Sequence, residues 1–256
     1  MISALQTFIL GAIQGLTEFL PVSSSGHLIL LERFFQIKEN IVLLNLVLHL
    51  GTVMALIVFF WKDLILILKQ KDWNLVKNLF IAFITTSIVG FLIKKIIEDV
   101  FIYNSSLVPL ALGFIFTAII LFMTIKNNKN RREITTLTIF EAMKIGLAQA
   151  IAIAPGISRS GLTYFATIKS GITSKDAFKF SFLLSIPTIL AATLVEIMTD
   201  YQGIATNINW SVIFLGLIIS FIFGSLGLML FKQISKNSKL WIFGIYLLIL
   251  AGILLI

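Results

Sequence analysis

The sequence predicts an all-α integral membrane protein of about six transmembrane helices plus two re-entrant helical hairpins, arranged as an inverted-topology repeat. Three observations carry this. First, of 256 residues 58% are hydrophobic and only 12% charged, with mean hydropathy +1.02. A soluble domain carries about a quarter charged residues. Second, apolar runs near or above the roughly 18 residues needed to cross a bilayer recur, and they are continuous rather than alternating, so helices rather than a barrel satisfy the backbone. Third, two apolar runs are broken in the middle by Pro, Gly and Ser, and the two breaks resemble each other.

Taken in order, the spans are expected at Val42–Trp61, Leu79–Ile97, Leu107–Ile125, Ala177–Met198, Ser211–Phe231 and Leu240–Ile256. The first interrupted run, Ser3–Leu20, meets Pro21-Val-Ser-Ser-Ser-Gly26 and resumes at His27–Phe35. The second, Leu137–Ala154, meets Pro155-Gly-Ile-Ser-Arg-Ser-Gly161 and resumes at Leu162–Ile168. Irregular backbone at membrane depth is tolerated only inside protein or along a cavity. A shift of 135 residues aligns Gly11 with Gly146, Gln14 with Gln149, Ser23 with Ser158, Ser25 with Ser160 and Gly26 with Gly161. Five identities in sixteen positions exceed the about one that average composition gives. One polytopic domain, 1–256, with repeat halves near 1–125 and 134–256, is therefore expected. Three spans separate the breaks, so the second hairpin is expected to enter from the opposite face.

Fifteen of the twenty basic residues fall on one face of this arrangement. Arg33, Lys38, Lys94 and Lys95 fall on the other, and Arg159 lies inside the second break. The positive-inside rule places the basic face in the cytoplasm and both termini outside. The net charge of +8 is thus read as orientation and lipid contact, with Lys126–Arg132 a solvated cytoplasmic loop near anionic lipid, and not as nucleic-acid binding. Met1–Leu10 holds no basic residue, so no cleaved secretory signal is expected. Cysteine is absent, which excludes disulfides and thiolate metal sites.

Chemistry concentrates in the breaks. Glu18 and Arg159 are charges at membrane depth, where a charge marks a site by default and a partner is expected. Two helix N-termini, four or more hydroxyls and a guanidinium converging at the midplane would form a receptor for an oxyanion such as phosphate. The plainer alternatives are that Ser residues simply cap helices and that Glu18–Arg159 only locks the repeats together. His27, beside three hydroxyls and a carboxylate in sequence, is a candidate base, acid or nucleophile. His49 is expected to make an interhelical hydrogen bond. Glu196 and Asp200 are expected to face solvent at the outer end of a span. No Walker A loop, H-E-x-x-H or Gly-x-Ser-x-Gly elbow occurs.

Gln14–His27 and Pro155–Gly161 closely resemble two motifs of the bacitracin-resistance type of undecaprenyl-diphosphatase, E-G-x-T-E-F-[LA]-P-V-S-S-[ST]-G-H and P-G-x-S-R-S-G. Asn45–Gly51, the region around Gly11 and Phe180–Pro187 are also similar, so the resemblance covers essentially the whole chain. It implies hydrolysis of the prenyl diphosphate carrier lipid to its monophosphate at the outer face of the bacterial plasma membrane. The resemblance also implies a divalent cation, Mg²⁺ or Ca²⁺. Its implied catalytic residues are Glu18, Ser24, His27 and Arg159, with Ser24 or His27 for attack or its activation. Thr17, Ser23, Ser25, Gly26, Ser158, Ser160 and Gly161 would support substrate. The motif's first Glu is Gln14 here, so the metal would rest on Glu18 with the Gln14 carbonyl as second candidate. A shorter similarity to type 2 acid phosphatases fails because Phe165 stands where their motif has His. An inverted-repeat transporter or lipid flippase is the alternative class, a non-catalytic lipid-binding scaffold a third, and the oligomeric state stays open.

Overall fold

The computed structural model describes residues 2–37, 41–97, 99–100, 106–125, 132–199 and 209–256, in which eleven α-helices and one 3₁₀ turn are found. They are α1 (Ala4–Phe19), α2 (Ser24–Phe34), α3 (Ile41–Phe59), α4 (Trp61–Gln70), α5 (Trp73–Ile97) and α6 (Val108–Met123). After the 3₁₀ turn Ile134–Thr136 come α7 (Ile139–Ile151), α8 (Arg159–Lys169), α9 (Ser174–Thr199), α10 (Trp210–Lys236) and α11 (Trp241–Leu254). Lys38, Lys126, Lys129, Arg131 and Asp200, all used in the sequence reading, lie outside the described residues.

Four helices, α3, α5, α9 and α10, are long and apolar enough to cross a membrane. The other two expected spans are shorter helices, α6 of 16 residues and α11 of 14. At 1.5 Å per residue these reach only about 24 and 21 Å, short of a hydrocarbon core of roughly 30 Å. Phe80, Ile88, Phe91 and Leu92 of α5 are each more than half exposed. Water does not tolerate so large an apolar surface, whereas a bilayer does.

One helix was absent from the sequence reading. The run after Trp61, which carries Lys62, Asp63 and Lys69, lies outside the expected spans. It forms the ten-residue helix α4, with exposed Trp61 and Leu68 and with Lys179 of α9 held by Asp63 at 2.7 Å. About 15 Å of helix is too short to cross a bilayer. Arg132 is likewise not a free loop residue. Its guanidinium donates to Glu141 at 2.8 Å and to the Thr136 carbonyl at 2.6 Å, and its backbone bridges to Gly171 and Thr173. Glu196 is half-buried and within electrostatic reach of Glu32.

The 135-residue shift carries structure as well as letters. It maps α2, residues 24–34, onto α8, residues 159–169, end to end. It also maps the Ser3/Gln6 capping box of α1 onto the Thr138/Glu141 capping box of α7. Ser23 and Ser158 are the matching N-caps, each accepting from the glycine N–H three residues on. The main packing partners exchange between halves: α1 lies on α10, and α7 lies on α5, the counterpart of α10. The counterparts α6 and α11 pack on each other, as do α3 and α9.

Small residues permit these approaches. A Cβ on Gly15 would lie 2.6 Å from the Gly224 nitrogen on α10, and one on Gly146 would lie 2.5 Å from the Ala82 carbonyl on α5. In lipid, where apolar burial drives little, such close contact supplies the association. Behind the breaks Phe19, Phe60, Phe178, Phe182 and Phe231 form a continuous aromatic core.

Candidate active site

Each break ends a helix for a local reason. Pro21 forces Leu20 out of the helical region, and Leu20 is extended at φ −64°, ψ 145°. In the second break Gly156 has φ +86°, and a Cβ there would lie 2.5 Å from the Leu110 carbonyl, so only glycine fits. Thr117 of α6 donates to the Gly156 carbonyl at 2.9 Å and accepts from the Ser158 N–H at 3.0 Å, pinning that turn.

The two breaks meet. Ser23 Oγ accepts from the Gly156 N–H at 3.1 Å, and Ser160 Oγ donates to the Leu20 carbonyl at 3.2 Å. Between them lies a single buried carboxylate, Glu18, near the end of α1. Its Oε2 accepts from Ser24 Oγ at 2.5 Å and from Gln14 Nε2 at 3.1 Å, while Oε1 is paired with Arg159 Nη2. Ser24 and Arg159 are the first residues of α2 and α8, equivalent positions under the repeat. The two halves thus grip one carboxylate with matching residues of different chemistry. Ser24, Arg159 and His49 are half-buried around the buried Glu18. A buried pair needs its remaining hydrogen bonds satisfied to be tolerated. Among the described residues the buried donor Arg159 Nη1 and the buried acceptor Gln14 Oε1 have no hydrogen-bond partner, which is uncommon for buried polar groups.

Of the residues singled out in the sequence, the structure therefore brings together Gln14, Glu18, Ser24 and Arg159. The others serve the junction. Thr17 Oγ1 donates to the Ile13 carbonyl of its own helix at 2.6 Å. Ser25 Oγ lies 3.3 Å from Ser23 Oγ, and Ser158 Oγ lies 3.2 Å from Ser160 Oγ. The Gly26 and Gly161 N–H groups are taken by the Ser23 and Ser158 caps. A Cβ on Gly26 would meet the Phe114 ring at 2.7 Å, so this glycine lets α2 pass close to α6. His27 is directed away from the cluster, with Nδ1 2.8 Å from the Ser23 carbonyl and Nε2 2.7 Å from the Tyr246 hydroxyl.

His49 corrects the expectation of an interhelical hydrogen bond. Its Nδ1 bonds the Asn45 carbonyl of its own helix at 2.7 Å, and its Nε2 faces Glu18 Oε2 across 3.9 Å. Sequence reasoning set it aside because it stands alone in an apolar span. Only the packing of α3 beside α1 brings it to the carboxylate. Tyr246, near the far end of the chain, carried no signal at all.

Among the described residues no three His, Asp or Glu side chains gather into a metal cage. What the cluster offers a hard cation is the Glu18 carboxylate and the orphaned Gln14 Oε1. Mg²⁺ is usually held by one or two carboxylates completed by substrate phosphate oxygens and water. The donor set fits a cation shared with a phosphorylated ligand.

The fold and cluster define an all-helical membrane protein in which two broken helices meet around one buried carboxylate. The family description Bacitracin resistance protein BacA matches residues 7–253. The chain is 36% identical to an undecaprenyl-diphosphatase of Carboxydothermus hydrogenoformans, with 97% of each chain covered. It is 39% identical to one of Thermosipho africanus over 95% of this chain and 96% of that one. One of Halothermothrix orenii is 35% identical, with 95% of this chain and 96% of the relative covered. The chain belongs to the BacA family of undecaprenyl-diphosphatases and is a multi-pass membrane protein.

Proposed function

We propose that the chain hydrolyses undecaprenyl diphosphate to undecaprenyl phosphate and inorganic phosphate at the Glu18–Ser24–Arg159 cluster, recycling a carrier lipid for the cell wall. The observation that carries this is the grip of Ser24 and Arg159 on one carboxylate, with a further guanidinium donor left unpartnered.

A diphosphate competes with Glu18 for Arg159. Its planar fork holds phosphate with two hydrogen bonds, and Nη1 is already free to begin. As Arg159 turns to phosphate, Glu18 is released from the guanidinium and keeps its hydrogen bond to Ser24, which spans 2.5 Å in the structure. Ser24 Oγ attacks the terminal phosphorus and its proton passes to Glu18. The bridging P–O bond breaks and undecaprenyl phosphate leaves. Water then cleaves the phosphoserine, releasing phosphate and returning a proton to Ser24. Such transition states are loose, so positioning and charge stabilisation by Arg159 supply most of the catalysis. Glu18 and Gln14 would hold a divalent cation there, and it would supply charge stabilisation to the phosphate.

The reading places the cluster near the midplane of an inverted-topology repeat, open to the outer face. The helix-by-helix correspondence at 135 residues and the exchange of α1 and α7 between halves support it.

Quench experiments with substrate labelled in the terminal phosphate test the nucleophile. Label is expected on Ser24 in the wild type, and Ser24→Ala is expected to lose at least about 100-fold in phosphate release. Wild-type turnover by Ser24→Ala removes the serine from the reaction. Orientation is tested separately, because the chain has no native cysteine to interfere. Gln36→Cys, at the exposed end of α2, should react with an impermeant reagent added outside, and Lys236→Cys only after the inner face is opened. The reverse pattern overturns the orientation.

A further inference from the structure

The hydrogen bond between His27 on α2 and Tyr246 on α11 joins residues 219 positions apart. The Ser23 carbonyl can only accept, so the His27 nitrogen facing it, Nδ1, carries the hydrogen. In the neutral ring Nε2 then bears the lone pair and accepts from the Tyr246 hydroxyl at 2.7 Å. The rings are also stacked, with centroids 5.7 Å apart and planes within 15°, and Phe114 closes the third side edge-on.

His27 Nδ1–H ends on a particular carbonyl. Ser23 has φ +66° and ψ 97°, a conformation a non-glycine residue adopts only when its surroundings impose it. That residue precedes Ser24 and sets the direction in which α2 begins. Its side chain is held by the Gly26 and Gly156 N–H groups, and its carbonyl by His27. A chain of hydrogen bonds therefore runs from Tyr246 through His27 to the turn that aims Ser24 at Glu18.

The repeat supplies the control. The shift of 135 places Leu162 opposite His27 and Ala111 opposite Tyr246, and both are buried and apolar. There the N-cap Ser158 sits in ordinary extended backbone at φ −78°. The fold thus builds the same junction without a polar pair. The pair occurs only at the junction that presents Ser24, together with the unusual N-cap.

We propose that Tyr246 is a positioning residue for phosphate release, fixing the tautomer and orientation of His27, which in turn holds the Ser23 turn and so the placement of Ser24. This rests on the reading of Ser24 and Glu18 given above. It assigns His27 a positioning role through Nδ1 and not direct attack.

Tyr246→Phe keeps the ring and removes only the hydroxyl. In detergent, with a prenyl diphosphate as substrate, kcat is expected to fall about tenfold while KM stays within about twofold, as for a misplaced reacting group. His27→Leu installs the residue of the other half and should lose at least as much. Adding Tyr246→Phe to His27→Leu should cost nothing more, because the hydroxyl acts through the ring. With only two histidines in the chain, ¹⁵N spectra report independently of activity. Tyr246→Phe should move the His27 Nε2 resonance and leave His49 in place.

Wild-type kcat in Tyr246→Phe overturns the proposal, as does full additivity of the two substitutions. If Tyr246→Phe is silent while Arg159→Ala is inactive, this inference falls and the active-site reading stands. If Arg159→Ala keeps wild-type activity, the reading itself falls, and the positioning role with it.

Discussion

Glu18→Gln loses at least about 10³-fold in phosphate release, and no attainable concentration of Mg²⁺ or Ca²⁺ restores it. Glutamine matches glutamate in size, so packing between α1 and the breaks survives. It no longer accepts the Ser24 proton, and it leaves two neutral amides where a hard cation needs a carboxylate. The substitution also strands Arg159, and removing one side of a buried pair costs about 3–5 kcal/mol. The measurement is phosphate release from a prenyl diphosphate in detergent, titrated with each cation after chelation, on protein shown to be monodisperse. In the same titration Gln14→Glu should lower the cation concentration for half-maximal activity, since it restores the carboxylate of the family motif beside Glu18. Full activity of Glu18→Gln removes the carboxylate from the account.

Arg159→Lys loses at least about tenfold in kcat/KM, roughly 1.4 kcal/mol, and Arg159→Ala about 10²- to 10³-fold. Lysine keeps the charge, and so can still pair with Glu18, but it lacks the fork. Nη1, the donor without a partner, is the part of arginine that lysine cannot supply. The loss should therefore appear in turnover of diphosphate and not in yield of folded protein. Equal activity of Arg159→Lys and wild type would mean that the charge alone matters.

What the sequence disclosed depended on whether a feature was local. The two breaks were legible because proline, glycine and helix-capping serines act within a few residues, although α2 and α8 begin at Ser24 and Arg159, three residues before the expected His27 and Leu162, because the Ser23 and Ser158 caps start the helices at once. The long apolar helices were legible from composition. The helix α4 was not, because its apolar run is too short to stand out as a span beside Lys62, Asp63 and Lys69. The lengths of α6 and α11 were overread, since apolar runs continue past the ends of the helices that contain them. Within the site, Glu18 and Arg159 stood out because a charge inside an apolar chain demands a partner. His49 and Tyr246 did not, because each is one polar group on a helix whose neighbours only the packing supplies. His27 was placed with Ser24 by sequence adjacency, yet its two ring nitrogens are taken by the Ser23 carbonyl and the Tyr246 hydroxyl rather than by Glu18.

The central claim is that Glu18 and Arg159 perform chemistry and do not simply fasten two halves together. Replacing both at once separates these roles. The double variant Glu18→Gln/Arg159→Gln removes the pair without leaving either charge stranded, so the stability lost by each single substitution should largely return. Thermal unfolding and phosphate release are measured side by side on wild type, the two single variants and the double variant. The account predicts that the double variant regains most of the wild-type stability and releases no phosphate above background. Recovery of activity together with stability would show that the pair is only a fastening, and would contradict the proposed site.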